Sequence, residues 1–208
     1  MMRTPLRRTA ALTALVLAGT LASCGDGEPE AASPTTSSAS PTETSTGPVE
    51  SPTEPTAADG DRIEGAGYSY GVPEGWQDGT ERFQSMSALL DTGAFDTDAS
   101  SGFADNVNVI RNDAYPEMGL EEAEQEFAEE AGTVSERVRI RDRSEIGAQT
   151  AIHISGLTSA GKTKVRTEQY SLYREDAWYI VTFSFGENTP DDAMDTDMST
   201  VLGSWQWD

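Results

Sequence analysis

Residues 61–208 predict an α+β fold, an antiparallel β-sheet flanked by helices as an α/β/α sandwich. Three observations carry that expectation. Apolar residues recur at period two through much of the stretch from Asn106 to Phe185, two other segments carry a helical stripe, and the run Trp178-Tyr179-Ile180-Val181-Thr182-Phe183-Ser184-Phe185 is apolar on both faces. A strand of that kind needs cover on both sides, which places it at the centre of the sheet with helices packed on each face.

Tyr68 to Trp76 reads as a strand entering a proline-initiated turn at Pro73, with Trp76 as a core plug. A polar loop follows from Asp91 to Gly102. Its stretch from Asp96 begins like a calcium loop, with oxygen side chains at alternate positions. Ser101 stands where the sharp turn needs glycine and Val107 where a bidentate glutamate belongs. Asn106 to Ile110 is a strand. Leu120, Ala123, Phe127, Ala128 and Ala131 share one face of a helix whose other face is nearly all glutamate, with Gly132 as its C-cap.

Val138 and Ile140 then alternate with arginines in a half-buried strand, and Ile152 and Ile154 mark the next one. A long strand from Thr163 to Tyr173 turns tightly through Arg174-Glu175-Asp176-Ala177 into the apolar run. Thr189 as N-cap, Pro190 at the first helical position and the acids Asp191 and Asp192 open a last helix. Its buried stripe is Met194, Met198, Val201 and Trp205, and Asp195-Thr196-Asp197 forms its solvated face.

The chain ahead of this domain is of a different kind. Arg3, Arg7 and Arg8 precede an apolar run from Ala10 to Leu21, and Leu21-Ala22-Ser23-Cys24 is a lipobox. The run is about a dozen residues long, against the roughly 20 that cross a bilayer, so residues 1–23 read as a lipoprotein signal peptide. Cys24, the only cysteine, becomes the site of a diacylglycerol and palmitate-type acylation. That places the protein outside the cytoplasm, held to the outer face of the cell membrane by lipid. Residues 24–60 carry six of the ten prolines with Ser, Thr, Glu and Ala, and Val49 is the only large aliphatic side chain among them. So little apolar surface cannot offset an ordering entropy of roughly 1–2 kcal/mol per residue, and the segment reads as a disordered tether.

Removing residues 1–23 leaves 11 basic against 36 acidic side chains, a net charge of −25. Such a charge opposes nucleic-acid binding. With Cys24 acylated no thiol remains for a disulfide, so the domain relies on its apolar core.

Val72-Pro73-Glu74-Gly75-Trp76, then Phe103-Ala104-Asp105-Asn106-Val107-Asn108-Val109-Ile110, an acidic helix, four antiparallel strands and a closing Leu202-Gly203-Ser204-Trp205 resemble the PsbP-like fold. More narrowly, the chain from about 67 to 207 is similar to LpqN/LpqT-type lipoproteins of high-GC Gram-positive bacteria. The resemblance implies a sheet between helices and a non-enzymatic role in partner binding or envelope maintenance. It supplies no catalytic residues.

No catalytic, metal or cofactor site is expected. His153, the only histidine, lies between Ile152 and Ile154 without a nucleophile motif and reads as a hydrogen-bonded structural residue. The informative polar feature is basic. Seven of the 11 cations of the mature chain lie in two runs, Arg137, Arg139, Arg141 and Arg143, then Lys162, Lys164 and Arg166. Period two puts each run on one face, and a meander would let them share it with His153. Guanidinium forks suit phosphate and carboxylate, so an anionic ligand or an envelope protein is the expected partner. The explanation favoured over it is edge protection, with the charges neutralised by Glu121, Glu122, Glu124, Glu126, Glu129 and Glu130 of the acidic helix. An envelope hydrolase built on a carboxylate pair and a calcium-dependent adhesion module are the other function classes.

Overall fold

The structure, a computed structural model, describes residues 61–98 and 102–208. The signal peptide, Cys24, the tether and residues 99–101 of the polar loop lie outside the described residues.

The chain forms β1 (Arg62–Gly65), β2 (Tyr68–Gly71), β3 (Trp76–Asp78), α1 (Thr80–Met86), β4 (Leu90–Asp96), β5 (Asn106–Asn112) and α2 (Leu120–Ala131). The meander β6 (Ser135–Ile146), β7 (Gln149–Ala160), β8 (Thr163–Arg174) and β9 (Ala177–Gly186) follows, then α3 (Asp191–Gly203) and β10 (Gln206–Trp207). Seven strands make the main antiparallel sheet in the order β3-β4-β5-β9-β8-β7-β6, and β1-β2-β10 make a small second sheet.

β9 occupies the middle of the main sheet and every one of its residues is buried. Val181, Phe183 and Phe185 face a core shared with Tyr68, Tyr70, Met194, Met198, Val201 and Trp205. Trp178 and Ile180 face a second core under α2, with Phe127, Ala123, Tyr115 and Ile152. The α+β class and the central position of this strand therefore stand. Beyond Ile180, however, the α2 side of β9 is polar rather than apolar. Thr182 and Ser184 sit opposite Asn108 and Asn106 of β5, and all four are buried.

The sandwich differs from the expected one in its outer layers. α2 and the short α1 cover one face, but the other is covered jointly by α3 and the three-stranded sheet. Tyr68 and Tyr70 therefore belong to that small sheet, where their rings stack on Trp205 at 4.5 and 5.4 Å. The acidic stretch after Leu90 is not all loop. Leu90–Asp96 pairs with β5, admitted to the sheet by Gly93, over which the Phe83 ring of α1 lies too close for any side chain. α3 begins one residue later than expected. Pro190 is its N-cap, because the Thr189 hydroxyl is drawn away to Asp105 Oδ2 at 2.8 Å.

Candidate functional site

β6 is the edge strand of the main sheet and is largely exposed. Two bulges interrupt its pairing with β7, one between Glu136 and Arg139 and one between Arg141 and Ser144. A bulge gives a strand one extra residue and redirects its side chains. These two sort the arginines by face.

On the face away from α2, three rungs run across β6, β7 and β8. They are Arg141–His153–Tyr170, Arg139–Ser155–Glu168 and Glu136–Leu157–Arg166. Arg137 sits in the first bulge with φ at 54°, a left-handed backbone that disfavours any residue but glycine. The result is a groove of about 300 Å³ lined by Arg137, Arg139, Arg141 and Arg166, with Ser155, Gly156 and Leu157 as its floor and Glu168 and Glu187 at its sides.

The second bulge sends Arg143 the other way. Its guanidinium meets Glu124 at 2.6 Å and Glu121 at 3.1 Å on α2, and those two bonds raise its already high pKa further. Neutralisation by the acidic helix thus holds for Arg143 alone among the four arginines. Arg137 and Arg139 have no hydrogen-bond or ion-pair partner among the described residues, and Arg141 donates only to Ser155 Oγ at 2.7 Å. Arg166 is anchored to Asp191 at 2.6 Å and to the Thr189 carbonyl, which fixes the groove to the start of α3. The two lysines stay outside the groove. Lys164 shares its face but pairs with Glu136 and Ser159, and Lys162 is exposed in the β7–β8 turn.

His153 shares this face with the arginines. Its Nε2 lies 2.7 Å from Glu168 Oε2, and its ring stacks on Tyr170 at 4.1 Å. Tyr170 in turn donates to Met198 Sδ of α3, and burial pushes its hydroxyl pKa up. Among the described residues no hydroxyl is bonded to the imidazole, and the serine on the groove floor, Ser155, is held by Arg141. Glu168 and Ser155 escaped the sequence reading, although Arg166, Glu168 and Tyr170 alternate at the spacing that put the cations on one face.

A second acidic group lies midway along α3. Asp197 is not on a solvated face; it is half-buried, and burial together with Asp105 and Asp96 pushes its carboxyl up to about 6. Asp105 is committed as a latch, accepting from Gly186 N at 2.7 Å and from Thr189. Asp96 of the calcium-like loop lies in β4, and among the described residues no three His, Cys, Asp or Glu side chains group to hold a metal.

No protein-family model matches the chain, and no curated protein matches it in sequence. Solved structures do. The Ran-binding protein Mog1p of Saccharomyces cerevisiae aligns over 73% of this chain and 96% of its own at 9% identity, with a TM-score of 0.53. That likeness is one of fold. Cyanobacterial PsbP from Synechocystis aligns over 78% of this chain and all of its own at 18% identity and a TM-score of 0.45. LpqN, involved in cell envelope biogenesis of Mycobacterium tuberculosis, aligns over 71% and 84% at 14% identity and 0.46. A Bacteroides thetaiotaomicron protein is matched over only 48% of its length. At such identities none of these likenesses assigns a ligand.

Proposed function

We propose that this chain is a membrane-tethered, extracytoplasmic binding module of the cell envelope, without catalysis, whose arginine groove receives an anionic group of a ligand or partner protein. The observation that carries this reading is the groove itself. Three guanidinium groups without carboxylate partners among the described residues line it, while α2 presents ample glutamate on the opposite face and takes only Arg143. Edge protection accounts for charge on β6 but not for this sorting, since an edge is blunted equally well by charges on either face.

A strongly acidic body with one positive groove favours a compact oxyanion or carboxylate over an extended polyanion, whose remaining charges the surrounding surface would repel. The lipobox at Cys24 supports the tether, and no described helix is long and apolar enough to cross a membrane. Replacing Arg139 and Arg141 together by Ser should abolish capture of envelope partners and anionic ligands by the mature protein. Unchanged capture would make the groove structural. Cys24→Ala should release the protein into the medium, and continued membrane retention would sink the lipid anchor.

A further inference from the structure

We propose that the His153–Glu168 pair is a proton switch on the arginine groove, so that the groove takes a sulfate- or phosphate-type oxyanion more tightly as pH falls; this rests on the anion-binding reading above. Glu168 lines the groove, one strand across from Ser155 and two from Arg139. Its side chain is only 13% exposed and that of His153 17%. Water therefore screens the pair poorly. With the imidazole neutral, the Glu168 charge opposes an incoming anion. A proton on His153, placed at the 2.7 Å contact, offsets that charge without moving a side chain.

The charged groups facing the imidazole are Glu168, bonded to it, and Arg141, across from it on β6, whose Nε turns to Ser155 rather than onto the ring. Tyr170 covers the ring by stacking and is itself tied to Met198, with Asp195 of α3 the other acid acting on it. Histidine is the side chain whose ordinary titration falls between pH 5 and 8. Even with the full dielectric screening of bulk water, one added unit charge about 4 Å from a bound anionic charge changes affinity by about fivefold, so fivefold is the lower bound.

The test is sulfate binding by the mature full chain, measured calorimetrically at pH 7.5 and 5.5, since sulfate keeps its charge across that range. Wild type should bind at least about fivefold more tightly at pH 5.5. His153→Gln, which keeps a hydrogen-bonding group but cannot charge, should lose most of that rise, whereas Asp197 titrates alike in both proteins. Glu168→Gln should raise affinity at pH 7.5 and flatten the response even if His153→Gln folds poorly. A rise that persists undiminished in both variants overturns the switch and leaves the groove standing. Sulfate that fails to bind wild type at either pH overturns the groove as well.

Discussion

β9 and β6 belong to one sheet, three strands apart, and differ in almost every physical respect. β9 is buried along its whole length, follows an unbroken register with both neighbours and carries residues of both cores. β6 is an exposed edge with two bulges, a left-handed arginine and charges sent to opposite faces. In β9, burial fixes every side chain. In β6, local backbone irregularity decides where each charge goes, and that freedom is what lets a binding groove form at a sheet edge.

Stability should follow the first strand and recognition the second. Phe183, fully buried between Phe185 and Tyr170, should cost about 3–5 kcal/mol when replaced by Ala, read from urea unfolding. A loss below about 1 kcal/mol would mean that the central strand is not the keystone of the core.

The layer over β9 should also respond to pH. Asp197 on α3 has its carboxyl pushed up to about 6 by burial, so the folded chain binds a proton that the unfolded chain does not between about pH 4 and 6. Stability is gained as pH falls through 6 and lost as it rises through that value. After discounting for the half-exposed carboxyl, the gain at pH 5 over pH 7.5 should be about 1 kcal/mol, and Asp197→Asn should remove it. Equal urea midpoints for wild type at the two pH values would contradict the burial of Asp197.

The smallest expected effect lies in β6. Arg137→Gly relieves a positive φ and should raise stability by about 0.5 kcal/mol, since the left-handed penalty slightly exceeds the entropy cost of glycine, while weakening anion binding. A variant that is destabilised instead would show that Arg137 is held by contacts worth more than its backbone strain.

Periodicity explains which parts were legible in the sequence. The continuous apolar run of β9, the stripe from Leu120 to Ala131 and the stripe from Met194 to Val201 each carry enough large side chains to declare both element and buried face. β4 does not. Its Asp91, Gly93 and Asp96 read as loop because the strand is admitted by the absence of a side chain under Phe83. α1 is a seven-residue helix with one buried residue, Phe83, too short for a stripe. The groove was half legible. Counting by twos gathers Arg137, Arg139 and Arg141, and gathers Arg166 with Glu168, but it also assigns Arg143 to the same face. Only the bulge at Asp142 and Arg143 separates it, and a bulge leaves the residue types of a strand unchanged.

The two ends of the domain meet in the small sheet. Trp207 pairs with Tyr68, Asp208 N donates to the Gly67 carbonyl, and Arg62 reaches the Ser204 carbonyl at 3.2 Å. Any mechanical load arriving through the residues before Asp61 therefore falls first on β1, whose only strand partner is β2. Because β1 and β2 are antiparallel neighbours, a pull away from the domain peels their few hydrogen bonds one after another, and a pull along the strand loads them all together. The four-residue β1 thus acts as the yielding element of the molecule, taking up strain before the seven-stranded sheet and its groove are disturbed.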